Sequence, residues 1–178
     1  MNLHGVIACI CEGSGEQAII ELLLENNQLC FERKNLLDEK IIRVRAADKF
    51  EEMYLRKDFN EKITVLRILD SRREKFNLRK LYQNKIEVIN IITAPEIEML
   101  IIHNEGKYDD FKKSSEKPSE YCKRCFKYHN VKSYKFVREY FSDIEVLLNA
   151  IKQYHRIAKI QSDEKSLYDL LKDIESTN

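Results

Sequence analysis

Three segments of the chain, 5–11, 63–69 and 86–92, are rich in apolar residues, and each gives way to a polar residue at its end. The first two show no alternation of apolar and polar positions, a pattern typical of strands buried on both faces of a parallel sheet. We therefore predict three core strands, followed by Glu12, Asp70 and Thr93. A further short strand is predicted near 40–45.

Helical periodicity fills the intervals between these strands. The first helix is expected to end at Asn26–Asn27, a charged helix to lie near 47–57, and another to run from about 71 to Asn84. A Ser or Thr followed three residues later by Glu or Gln is a capping box, which marks the start of a helix. Such pairs are Ser14 with Gln17, Ser71 with Glu74, Thr93 with Glu96 (Pro95 lying in the first turn) and Ser142 with Glu145.

The alternation of strands and helices predicts an α/β fold: a mostly parallel sheet over 1–106 with helices on both faces. Residues 107–117 are polar and are expected to form a loop or hinge. Beyond them, the region 107–178 is predicted to be helical and basic, with a last amphipathic piece from Leu167 to Ile174. We expect this region to pack on the core, so that the chain forms one compact domain.

The composition, 178 residues with 31 Lys plus Arg against 30 Asp plus Glu and 43% apolar residues, fits one soluble domain. No apolar run approaches the roughly 20 residues of a membrane helix, and no leader is evident, so we expect a cytoplasmic protein without a membrane partner.

The five cysteines do not form a disulfide framework. Cys122 and Cys125 with His129 make half of a zinc site at most, and no structural zinc is expected.

Three carboxylates are predicted to meet at the carboxyl ends of the strands, where open parallel sheets bind ligands. Glu12 and Asp70 end two strands, and Glu98 interrupts an apolar helix, where a charge needs a cation or a partner. Such oxygen ligands suit one Mg²⁺ or Mn²⁺ ion. The alternative is that Glu12 and Asp70 are polar strand ends, stabilised by helix dipoles.

The backbone N–H groups of the turn Gly13, Ser14 and Gly15 are candidates for binding a phosphate. Arg72 and Arg73, directly after Asp70, are candidates for bidentate phosphate contacts. The alternative is that both arginines are solvated residues of a first helical turn.

Three motifs, in this order and spacing, resemble the Toprim fold of metal-dependent phosphotransfer domains, closest to its RloB-like branch, which is associated with phage defence and mobile elements. Glu12, Gly13 and Glu16 match the first motif, Asp70 matches half of an Asp-x-Asp motif, and Pro95 with Glu98 matches a later Pro-x-x-Glu. The resemblance implies catalytic roles for Glu12, Asp70 and Glu98. Arg72 stands where the second acid of the middle motif is expected, which implies one metal ion and a charge-stabilising role for Arg72.

A basic segment, 112–138, carries nine Lys or Arg residues against two Glu residues, a net charge of about +7. Aromatic residues are interleaved with the basic ones, a mixture that binds phosphates and stacks on bases. The alternative is that the rings pack the segment onto the sheet. The nucleic-acid-binding candidates are Lys123, Arg124, Lys127, Lys132 and Lys135.

The sequence therefore favours a Mg²⁺- or Mn²⁺-dependent phosphodiesterase or nuclease, acting on DNA or RNA and using no nucleotide cofactor. The alternative from another class is a catalytically degenerate Toprim-like module that binds nucleic acid or a partner protein. A small methyltransferase is less favoured, because only the turn at 13–15 supports it. No GxxxxGK[ST] motif is present, so any ATPase activity, as in a defence system, would belong to a partner protein.

Overall fold

The computed structural model describes residues 1, 3, 5–56, 62–93, 97–158 and 164–172. In these ranges the chain forms a three-stranded parallel sheet in the order β1-β2-β3. The strands are β1 (Val6–Cys11), β2 (Ile63–Leu69) and β3 (Ile86–Ile92). The predicted core strands and the α/β fold class are thus confirmed.

All three strands end at the same edge of the sheet. Cys11 lies beside Ile68, and Leu69 lies beside Ile92, so the residues that follow the strands emerge together. Thr93 is fixed at this edge because its N–H and its hydroxyl both donate to the carbonyl of Leu69, at 2.8 and 2.9 Å. The sheet therefore brings the ends of β1 and β2 next to each other.

Helices cover both faces of the sheet, as predicted. On one face, alternate strand residues such as Cys9 and Leu66 pack in a large core with helical residues. On the other, Ala8 and Val65 pack with Phe50, which is fully buried. The large core receives residues of α1 (Ser14–Glu25), α4 (Glu98–Asn104), α6 (Pro118–Phe126), α7 (Tyr134–Tyr140) and α8 (Ile144–Ile157), and the smaller core is covered by α2 (Ala47–Tyr54).

The C-terminal region shares its core with the sheet. Tyr121, Val137 and Leu148 are buried in the same cluster as Leu23 and Ile101. Helix α8 packs along α4, and α7 packs along α1. Residues on both sides of position 106 therefore contribute to one hydrophobic core. None of the helices in the described ranges has the length and apolarity required to cross a membrane.

The predicted helix over 71–84 is wrong for most of its length, since only α3 (Lys80–Gln83) is helical. The reason is Arg67, a buried cation on β2 that is contacted by the segment between β2 and α3. Arg67 Nη1 donates to the carbonyl of Glu74 at 3.4 Å, and its guanidinium lies 5.0 Å from the centre of the Phe76 ring. These contacts hold 74–79 in an irregular conformation and leave the pair Ser71 and Glu74 without a helix to cap.

Two other predictions for connecting segments are corrected. Near 40–45 only Ile42 pairs with β1. Its N–H donates to the carbonyl of Cys9 at 2.7 Å, and its carbonyl accepts the N–H of Cys11 at 3.1 Å, so no strand forms. The polar segment 107–117 contains a helix, α5 (Tyr108–Lys113), rather than a continuous loop or hinge. A local polar composition does not prevent a helix whose aromatic residues reach the core.

Two predicted capping boxes are replaced by other caps. Gly13 is the N-cap of α1, and Ser14 lies inside the helix. Asp143, rather than Ser142, caps α8 by accepting the N–H of Glu145 at 2.9 Å. The predicted amphipathic piece is a short 3-10 helix (Leu167–Leu170). The predicted cap residue Glu96, with Pro95, and Ile174 lie outside the described residues.

Candidate active site

The carboxylate of Glu12 lies at the adjoining ends of β1 and β2. Its Oε2 accepts the N–H of Asp70 at 3.2 Å, and the N–H of Glu12 donates to the carbonyl of Ile68 at 3.2 Å. Arg45 approaches from the smaller-core face: its Nη1 lies 3.7 Å from Glu12 Oε1, and its Nη2 donates to the Glu12 carbonyl. Glu12 is therefore held in place by backbone and by one cation.

Lys132 connects Asp70 with Glu98. Its ammonium nitrogen lies 4.0 Å from Asp70 Oδ2 and 3.6 Å from Glu98 Oε2. Glu98 is fully buried, whereas the side chain of Lys132 is 42% exposed. The position of Lys132 is set by α1, because the Ser14 hydroxyl donates to the Lys132 carbonyl at 3.1 Å.

Glu16 adds a fourth carboxylate from the first turn of α1. It is 4% exposed, and its carboxylate lies over Gly13, where a Cβ atom would force the Glu16 side chain to shift. Burial raises the pKa of Glu16, the charge of Asp70 adds to this rise, and Lys132 and backbone N–H groups oppose it. Glu16 is therefore electrostatically part of the same site.

The acidic cluster, as we call this group, contains more negative than positive groups. Burial raises the pKa of Glu12 from 4.5 to about 7, and the neighbouring Asp70 contributes to the rise. A surplus of carboxylates at close range is relieved by protonation or by binding a cation. The members are the carboxylates Glu12, Glu16, Asp70 and Glu98 and the cations Arg45 and Lys132.

The chemistry of this donor set fits a hard divalent cation, which prefers carboxylate oxygens. Lys132 places a positive charge between Asp70 and Glu98, where such an ion would be attracted. Among the described residues, however, no three His, Cys, Asp or Glu side chains are already arranged as a ligand set. Binding a divalent cation here therefore requires the flexible Lys132 side chain to move aside.

An open groove of about 500 Å³ leads away from the acidic cluster. We call it the lysine groove. Helix α6 and the loop that follows it supply most of its wall, and Glu98 and Lys132 lie at the end shared with the acidic cluster. Its charged and aromatic lining residues are Glu98, Lys117, Glu120, Lys123, Tyr128, His129 and Lys132.

The structure does not bring the predicted phosphate-binding arginines into the acidic cluster. Arg72 forms a bidentate ion pair with Glu164: its Nε contacts Oε1, and its Nη2 lies 2.9 Å from Oε2. Arg73 is exposed, and its N–H donates to the Ser71 hydroxyl. This geometry gives no support to the expected role of Arg72 beside Asp70, because its guanidinium is already matched by a carboxylate.

The turn at 13–15 is also occupied by protein groups. Gly15 is buried, and a Cβ atom there would lie 3.0 Å from the Lys132 carbonyl. The Glu16 carboxylate lies over Gly13, and the Ser14 hydroxyl is used by Lys132. The turn packs against the loop that carries Lys132, so phosphate binding by its backbone N–H groups remains a prediction.

The basic segment divides into residues that pair internally and residues that face solvent. Arg124 pairs with Glu116 at 2.7 Å, and Lys135 with Glu139 at 3.7 Å. Lys123 and Lys127 are exposed, and neither forms an ion pair with a described residue. The interleaved aromatic residues mostly pack inwards, in a chain of ring contacts through Phe111, Tyr121, Phe126, Tyr128, Phe136 and Tyr140.

Sequence reasoning missed two features of this site. Arg45 lies in a segment predicted to be a short strand, and no local pattern connects it with Glu12. Lys132 was expected to bind nucleic acid, but nothing in its neighbourhood along the chain indicates its contact with Asp70 and Glu98. Glu16 was marked only by the family resemblance.

Comparison with known proteins gives no match of any kind: no family model, no curated protein and no solved structure matches the chain. The resemblance to Toprim domains therefore stays a prediction that rests on the three short motifs.

Proposed function

We propose that the protein is a Mg²⁺- or Mn²⁺-dependent phosphodiesterase that acts on nucleic acid. The observation that carries the proposal is the junction of two features: a surplus of carboxylates around Asp70 and Glu98, and a lysine-lined groove that opens at the same place. The first suits a divalent cation and the second suits a phosphate backbone. Metal-dependent hydrolysis of a phosphodiester is favoured where the two lie next to each other.

In this proposal Glu12 and Asp70 are the direct ligands, and Glu98 binds directly or through water. The bound cation would activate water and offset charge on the leaving oxygen. Water would add to phosphorus while the ester bond to the leaving sugar oxygen breaks, and the proton lost by the water would end on that sugar oxygen. Lys132, released from the carboxylates, is long enough and exposed enough to neutralise a phosphate oxygen at the end of the groove next to the acidic cluster.

A second candidate function is a binding module without catalysis, and one observation favours it. The ammonium of Lys132 already offsets part of the negative charge between Asp70 and Glu98. A site balanced by an internal cation can be stable without metal. In this reading the chain binds nucleic acid, or a partner protein of a defence system, and cleaves nothing.

Calorimetric metal titration with cleavage assays on DNA and RNA tests the proposal. We expect one Mg²⁺ or Mn²⁺ to bind, and Glu12→Gln and Asp70→Asn each to weaken binding at least tenfold and abolish cleavage. Glu52→Gln, an exposed carboxylate paired with Arg56, is the matched control and should change neither. Unchanged metal affinity in both cluster variants would refute the metal site. Tight metal binding without cleavage of any substrate would favour the binding module.

A further inference from the structure

We infer that the lysine groove binds single-stranded nucleic acid and discriminates against the duplex. The inference rests on the proposed function, since it names the substrate form for the same site. It follows from three properties of the groove: where its free positive charge lies, how deep its inner end is, and where its rings are exposed.

The groove carries positive charge that no described carboxylate pairs with. Elsewhere in the basic segment, Arg124 is matched by Glu116, and Arg138 by Glu25 at 2.7 Å. Lys117 and Lys123 are both exposed groove residues, and within the described part of the chain neither has an ion-pair partner. Phosphates bound between them would release counterions, the main source of affinity for nucleic acid.

The burial of the inner end favours a flexible strand over a stiff double helix. Glu98, which lines that end, is fully buried, and Lys132 beside it is only partly exposed. A volume of about 500 Å³ takes a ligand of roughly one or two nucleotides. A phosphate on a rigid duplex reaches such a buried end less easily than a phosphate on a flexible strand, which can place one nucleotide there.

The rings at the groove suit unpaired bases. Tyr128 is half-buried within the aromatic chain but also lines the groove, and His129 beside it is exposed. Tyr121 is 2% exposed, so it has no face left for a ligand. Bases that are not paired can stack on rings in a basic groove, which is how sequence-tolerant single-strand sites work.

The test is fluorescence anisotropy with a labelled oligonucleotide, as single-stranded DNA, as single-stranded RNA and as the DNA duplex of the same sequence. The full chain is used with a chelator present, so that no cleavage occurs. We expect at least one single strand to bind ten times more tightly than the duplex. The double variant Lys117→Ala, Lys123→Ala should lose about tenfold in affinity and lower the salt slope by about 1.4.

Lys113→Ala is the matched control, an exposed lysine of the same basic segment outside the groove lining. It should change the affinity less than twofold. Duplex binding as tight as single-strand binding, absence of any binding, or equal effects of the control and the groove variant would each overturn the inference. Metal-dependent cleavage of duplex as fast as of single strands would overturn it and leave the phosphodiesterase proposal standing. Single-strand binding without cleavage would support it and count against that proposal.

Discussion

Replacing Glu12 with Gln should stabilise the metal-free protein at alkaline pH. Burial raises the pKa of Glu12 from 4.5 to about 7, with Asp70 adding to the effect. Each pH unit between these values corresponds to about 1.4 kcal/mol, so the ionised side chain costs the native state about 3 kcal/mol. Gln keeps the shape of the side chain and an oxygen that can accept the N–H of Asp70.

Native-state stability changes with pH because the native and the unfolded chain bind the Glu12 proton with different affinity. Below pH 4.5 both the native and the unfolded chain hold the proton on Glu12, so the cost is absent. Between 4.5 and about 7 the unfolded chain loses its proton first, and native stability falls as the pH rises. Above about pH 7 the full cost is present. The ion pair of Arg45 with Glu12, 3.7 Å long and half exposed, contributes at most about 1 kcal/mol in the other direction.

Urea unfolding followed by circular dichroism, at about pH 5 and about pH 8 with a chelator, measures this difference. We expect Glu12→Gln to gain about 1–3 kcal/mol over the wild type at the higher pH and less at the lower pH. Glu52→Gln, the exposed control, should change stability by less than about 0.5 kcal/mol at both. Adding Mg²⁺ at about 100 times its Kd should stabilise the wild type by about 2.7 kcal/mol and the variant by less. A variant that is less stable than the wild type at both pH values would refute the electrostatic argument.

Three further predictions concern packing, a buried ion pair and metal content. Leu23→Ala should cost about 3–5 kcal/mol in urea unfolding, because Leu23 is fully buried in the large core, whereas Leu81→Ala, 70% exposed, should cost little; equal costs would contradict the packing. Glu51→Ala should cost about 2–3 kcal/mol, because the buried carboxylate accepts the N–H of Arg79 at 2.7 Å and pairs with its side chain; a loss below about 0.5 kcal/mol would show that this anchor of α3 is dispensable. Elemental analysis should find no stoichiometric zinc, since Cys122 is buried and a closed site needs four ligands; zinc lost on Cys122→Ser would overturn this.

Local signals in the sequence were sufficient for the sheet. A segment of seven residues with five apolar ones, such as 63–69, has few ways to bury both of its faces other than as a central strand, and β2 forms there. The local signals failed at 71–79, because the contacts of this segment with buried Arg67 outweigh the helix preference of the capping pair Ser71 and Glu74. Helix propensity contributes a few tenths of a kcal/mol per residue, which is less than the cost of leaving a buried guanidinium without partners.

The sequence by itself determined the α/β class, the three strands and the positions of Glu12 and Asp70 at strand ends, because these depend on patterns within a few residues. Only the tertiary structure decided which charges face each other. Lys132 reaches Asp70 and Glu98, and Arg72 pairs with Glu164, through packing of the C-terminal helices on the sheet. These partners lie 34 to 92 positions apart along the chain, so the packing of the whole core decides which side chains meet.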